Sequence, residues 1–198
     1  MTNYDFIEIG TSNYDTLIEL ADDNTVGISV EPLDFYLDQL PNKKNVIKIC
    51  KAITAYPTTN KIDIYFVPPK VIDEIDNLPQ YFKGCNSIGN YHPAVIESYK
   101  HLFETRSVDL ISIKDLLETN NVAGIGHLKI DTEGHDCVIL NGFLDYLGDK
   151  PKNYYPKQIT FESNHLTSVI DVDNVIERFI KIGYIIVSRG HDTVLKVI

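Results

Sequence analysis

The chain has 198 residues, 43% of them hydrophobic, which suits one globular domain with a sizeable core. Its formal net charge of -10 repels nucleic-acid backbones and anionic membranes, and argues against both as partners. It leaves room for a single nucleotide, a sugar or another small molecule, and a homo-oligomer is compatible with it. No apolar run reaches bilayer length, and Met1 to Asp5 lack the basic and apolar regions of a signal peptide. The three cysteines, Cys50, Cys85 and Cys137, form no Cys-x-x-Cys pair and read as reduced core thiols of a cytoplasmic protein.

Phe6 to Ile9 reads as a buried strand ended by Gly10. Ser12 is the expected cap of a following helix, with Asp15 as its capping-box partner and Leu17, Ile18, Leu20 and Ala21 as the apolar face. A second strand at Val26 to Val30 closes at Glu31-Pro32. A short helix from Asp34 to Leu40 and a third strand from Val46 to Ile53 complete an alternation that predicts a parallel sheet with crossover helices. Ile62 to Val67 alternates like a half-exposed strand. Residues 70 to 92 show no steady period, and 68–106 reads as a substrate-binding insert or lid within a single domain spanning 1–198. Pro93 fits the first turn of a helix to about Glu104.

The alternation then resumes with a strand at Val108 to Ile111 and a helix at Ile113 to Thr119. A central strand at Gly126 to Thr132 leads into a helix from His135 to Leu147, with Val138, Ile139, Leu140 and Phe143 inward. A strand at Gln158 to Phe161, a helix at Val172 to Ile182 and a hairpin pairing Tyr184 to Ser188 with Thr193 to Val197 close the chain.

Two places concentrate chemistry. Glu8-Ile9-Gly10-Thr11-Ser12 lies at the first strand-to-helix turn. Glu31 follows about twenty residues later, where an acidic side chain accepts hydrogen bonds from a ribose. The glycines that let a backbone approach a pyrophosphate are missing, and no Walker lysine is present, which disfavours dinucleotides and nucleoside triphosphates. The apolar run Ile125 to Ile130 feeds into Asp131-Thr132-Glu133-Gly134-His135-Asp136, ionisable groups at the end of a buried strand.

His127-Leu128-Lys129-Ile130-Asp131-Thr132-Glu133-Gly134-His135-Asp136, followed by Val138-Ile139-Leu140-Asn141-Gly142, resembles the signature of FkbM-type methyltransferases. Phe6 to Gly10, Val30-Glu31-Pro32, Val108 to Leu117 and Ile159 to Glu162 resemble further segments of that family. The resemblance implies a Rossmann-like class I methyltransferase fold, a three-layer α/β sandwich on a mostly parallel seven-stranded sheet with a C-terminal antiparallel hairpin. It implies S-adenosylmethionine as cofactor and O-methylation of a hydroxyl on a sugar or natural-product-like acceptor. The first motif departs from the family's Gly-Ala-Asn-Ile-Gly, reading Gly10-Thr11-Ser12-Asn13-Tyr14. The alternative is a catalytically inactive methyltransferase-fold binding or structural protein.

S-adenosylmethionine has no phosphate and carries a sulfonium and an ammonium, so one tight glycine turn and an electronegative sheet end suit it. The expected cofactor residues are Glu8, Gly10, Thr11, Ser12, Glu31 and Asp131. A hydroxyl nucleophile must lose a proton, and His135 is the expected base, with Asp131 and Glu133 beside it; His92 and His165 are weaker candidates. Ser87, Asn90, Tyr91 and His92 are candidate acceptor contacts in the insert. No metal is required, but Asp131, Glu162 and Asn164 at adjacent strand ends form an alternative all-oxygen set for Mg²⁺.

Overall fold

The computed structural model describes residues 1–14, 16–75, 78, 80–92, 95, 97–148 and 150–198, with the backbone alone at 80 and 81. Its elements are β1 (Thr2–Ile9), α1 (Leu17–Leu20), β2 (Gly27–Val30), α2 (Asp34–Leu37), β3 (Val46–Ile49), β4 (Ala52–Thr54), β5 (Lys61–Phe66), α3 (Pro69–Glu74), β6 (Ser87–Ile88), β7 (Glu104–Ser112), α4 (Ile113–Thr119), β8 (Val122–Ile130), α5 (Asp136–Leu147), β9 (Gln158–Glu162), α6 (Val169–Lys181), β10 (Tyr184–Arg189) and β11 (Asp192–Val197). Single 3-10 turns occupy Gln80–Lys83, Glu97–Leu102 and Lys152–Tyr154.

Seven strands form the main sheet in the order β10-β11-β9-β8-β1-β2-β3. The β3-β2-β1-β8-β9 part is parallel, and β11 runs antiparallel to both β9 and β10. This is the expected α/β class with its closing hairpin. Side chains alternate across the strands. Ile7 and Ile9 therefore join Leu128, Ile130, Ile159 and Phe161 under α5 and α6, while Phe6 points the other way and packs with Ile18, Leu37 and Leu40 around α1 and α2. Helices on both faces of the sheet make the three layers.

Val46 to Ile53 does not form one strand. The chain leaves the main sheet at Cys50 and Lys51, and β4 joins a second sheet in the order β4-β7-β5-β6. There Leu33, Tyr36, Ala52, Ile64, Phe66, Val108 and Leu110 share a small core, which docks this sheet on α2. The insert is also more structured than its sequence suggests: it holds α3, β6 and a cluster of Val67, Leu78, Phe82, Cys85 and Val95.

Other expectations need correction. Ser12 caps no helix; α1 begins at Leu17, and Asp15 lies outside the described residues. Leu20, at 83% exposure, and Val138, at 42%, face solvent rather than the core. The helix expected after Pro93, a residue outside those described, is a 3-10 turn at Glu97–Leu102 followed by β7. Cys85 and Cys137 are buried, and burial pushes both thiols up to about 12, whereas Cys50 is exposed. Among the described residues, no helix is long and apolar enough to cross a membrane.

Candidate cofactor cleft

The carboxyl ends of β1, β2 and β8 are tied together through the backbone. Gly10 N–H donates to the Val30 carbonyl at 2.9 Å, and Asp131 N–H donates to the Ile9 carbonyl at 2.9 Å. Gly10 has φ +82°, and a Cβ there would stand 1.8 Å from the Asp131 carbonyl oxygen. Only glycine tolerates both conditions. Ser12 turns the loop through a left-handed φ of 45°, and its N–H donates to Glu31 Oε2 at 2.8 Å. Leu33 N–H donates to the other Glu31 oxygen at 2.9 Å. The carboxylate expected to receive a ribose therefore also shapes the glycine loop. Burial pushes its pKa up to about 7 against those two stabilising bonds.

Glu8 is fully buried. It accepts from Leu17 N–H at 2.9 Å and lies 3.1 Å from Lys129 Nζ. Glu8 is not among the residues that line the cleft, whereas its partner Lys129 is.

The second corner joins β8 to α5. Glu133 (φ 53°) and Gly134 (φ 96°) are both left-handed. For a non-glycine residue that costs on the order of 1–3 kcal/mol, and such strain persists only where the surroundings impose it. Asp136, missed as a structural residue by sequence, imposes it: fully buried, it accepts from Thr132 N–H at 3.1 Å, Thr132 Oγ1 at 2.8 Å and Glu162 N–H at 3.1 Å. Burial pushes its carboxyl up to about 6. Asp136→Ala strands these donors, and each buried donor left unsatisfied costs about 1–3 kcal/mol. The expected result is a melting temperature lower by roughly 6–12 °C. A melting curve within a degree of the parent would contradict this role.

Asp131, Glu133 and Glu162 offer oxygens within 4.8 Å of one another. Burial, then the charges of Asp136 and Glu133, push Asp131 up to about 7, while Lys129 opposes the shift. Burial, then Glu133 and Asp131, push Glu162 up to about 8. Two of the magnesium set anticipated from sequence, Asp131 and Glu162, belong to this trio. The third, Asn164, accepts from Leu166 N–H with its oxygen at 2.8 Å and turns its amide nitrogen to Glu162.

His135 Nε2 lies 3.0 Å from Thr54 Oγ1 of β4, and burial pushes its pKa down, which favours the neutral ring. His92 is only 5% exposed, and its Nε2 lies 3.0 Å from Glu133 Oε2, fastening the insert to the second corner.

Gly10, Glu31, Lys129, Asp131, Glu133 and His135 border one cleft, whose space of about 780 Å³ includes open solvent. Of the residues expected from sequence, Gly10, Thr11, Ser12, Glu31, Asp131, Glu133 and His135 line it. Ser87, Asn90 and Tyr91 do not. Ser87 pairs with Tyr65 in the second sheet, Asn90 is exposed, and Tyr91 packs on Tyr65 at 4.7 Å and Phe103 at 5.6 Å. His92 stands behind Glu133, and His165 is exposed. Their neighbours Gly84, Asn86 and Ile88 line the cleft instead, with Ile64, Ala52 and Ile53. Alternation along β6 carries the signal: if Ile88 faces the cleft, Ser87 must face away. Tyr14, in the first motif, also lines the cleft, and Thr54, which only the tertiary fold brings to His135, was missed too.

A sheet of this order, with its ligand cleft outside the carboxyl ends of the parallel strands, defines a Rossmann-like α/β protein of the class I methyltransferase type. The family model described as the methyltransferase FkbM domain matches residues 8–186, and the chain belongs to that family. No curated protein matches it. Among solved structures, a chain from the crystal structure of a fibrillarin/Nop5p complex is similar at 11% identity, over 96% of this chain and 69% of that one, with a TM-score of 0.42.

Proposed function

We propose that this methyltransferase uses S-adenosylmethionine to methylate a hydroxyl on a sugar or small natural-product-like acceptor. The observation that carries the reading is the meeting of Gly10, Glu31 and Asp131, from three strand ends, in one cleft. Each Glu31 oxygen keeps a lone pair for a ribose hydroxyl beyond the backbone N–H it already accepts. Pro32, Ala52, Ile53, Ile64 and Ile88 give that side an apolar slot suited to a purine. The Gly10–Ser12 loop and the Asp131 end suit the methionine moiety with its two positive charges. The bound cofactor supplies an electrophilic methyl group.

The chain's own task is to exclude water, align the acceptor oxygen and take its proton. Alignment alone can supply roughly 7–11 kcal/mol of the barrier reduction. His135, neutral and tethered to Thr54, is the proton acceptor in this reading, with Glu133 beside it, held by His92. The binding-protein alternative draws support from Tyr14, which fills a position the family keeps small. Cofactor binding without methyl transfer to any hydroxylated acceptor would favour it.

The raised carboxyls give this reading a pH signature. Glu31, Asp131 and Glu162 have folded pKa values near 7, 7 and 8, above those of exposed carboxyls. Without ligand, the stability these three carboxyls contribute is fully present below about pH 4 and declines as pH rises through about 8, where the folded state must give up protons it holds and the unfolded chain does not. A cation favours the ionised carboxyls, so affinity for S-adenosylmethionine rises over the same window. Thermal shift at saturating cofactor is expected to be larger at pH 8.5 than at pH 6. A shift independent of pH, or larger at pH 6, would count against the acidic cradle.

A further inference from the structure

The cleft holds one aromatic side chain among acids. Tyr14 lines the cleft with Asp131, Thr132 and Glu133. It is 46% exposed, yet burial and then the charges of Glu133, Asp131 and Glu162 hold its hydroxyl well above its ordinary pKa. One part of the residue therefore meets solvent while its hydroxyl end feels the carboxylate trio. The ring already attracts a cation, since Lys83 Nζ of the insert stands 5.5 Å from its centroid. Lys129 also lines the cleft, and it is engaged with Glu8.

We propose that Tyr14 selects the charged form of the nucleoside. Its ring and the carboxylates of Asp131 and Glu133, which line the cleft with it, receive a sulfonium, and not the neutral thioether that remains after methyl loss. The inference rests on the cofactor reading above and adds a discrimination to it. A soft, weakly hydrated cation gains from an aromatic face as well as from charge. The two nucleosides share adenine, ribose, ammonium and carboxylate, and differ by one methyl and one positive charge. Contacts at Glu31 and Gly10 cannot separate them, whereas contacts at Tyr14 can. The consequence is release of the spent nucleoside once the charge has gone.

The test is calorimetric titration of the ligand-free protein with S-adenosylmethionine and with S-adenosylhomocysteine, on the parent, Tyr14→Leu and Tyr14→Phe. The parent is expected to prefer the sulfonium by about tenfold. Tyr14→Leu, which keeps apolar bulk but removes the π face, should cut that preference by about fivefold while leaving S-adenosylhomocysteine affinity within about twofold. Tyr14→Phe should keep the preference. An unchanged ratio in Tyr14→Leu, or equal weakening of both ligands, overturns the proposal and leaves the cofactor reading standing. Failure of both ligands to bind the parent removes the cofactor reading and this inference with it.

Discussion

Asp131→Asn is expected to weaken S-adenosylmethionine binding by on the order of 100-fold, about 2.7 kcal/mol, without unfolding the protein. The substitution keeps the shape of the side chain and the backbone bond from Asp131 N–H to Ile9. It removes one carboxylate from a trio whose oxygens lie within 4.8 Å of one another. Because burial and the charges of Asp136 and Glu133 already resist ionisation of this group, the variant should melt no lower than the parent at pH 8. Stability and binding thus move apart, which separates a cofactor residue from a structural one. Calorimetry and a melting curve on the same sample check both halves. Near-parental affinity would remove Asp131 from the site.

The second large effect is at Gly10. In Gly10→Ala the new Cβ meets the Asp131 carbonyl oxygen at 1.8 Å, a backbone atom with no rotamer to escape into, and φ is +82°. The loop must shift, breaking the bond from Gly10 N–H to Val30 and misplacing Ser12 N–H from Glu31. We expect a loss of about 3 kcal/mol or more, with melting lower by roughly 6–12 °C and cofactor binding undetectable. Gly89→Ala is the control. Its φ of +75° carries the same conformational strain, but nothing lies within 4 Å of the added methyl. It should cost about 1 kcal/mol, and cofactor affinity should hold. Equal losses in the two variants would mean that φ alone matters, and that the close approach of β1 to β8 does not shape the cleft.

The main sheet was legible because its strands are short apolar runs, bounded by Gly10, by Glu31-Pro32 and by the Asp131–Asp136 polar cluster. The closing hairpin was legible from Arg189-Gly190-His191-Asp192. The second sheet was not, because its ladder joins β5 to β7 across the whole insert, and local pattern carries no information about such pairing. Val46 to Ile53 illustrates the limit: its apolar content is continuous, yet the chain changes sheets at Cys50 and Lys51. Ser12 failed as a cap for a tertiary reason, since its N–H is taken by Glu31 from the next strand. At the cleft, residues within the two corner motifs were found from sequence, because strand ends place them. Asn86 and Ile88 were not found, since only folding brings them to the cleft.

The most direct measurement is a crystal structure of the protein with S-adenosylhomocysteine. The account predicts the ribose hydroxyls within hydrogen-bond reach of Glu31 and the homocysteine sulfur at the Asp131–Tyr14 end of the cleft. Ligand density elsewhere on the chain, or in this cleft with its ribose turned away from Glu31, would contradict it.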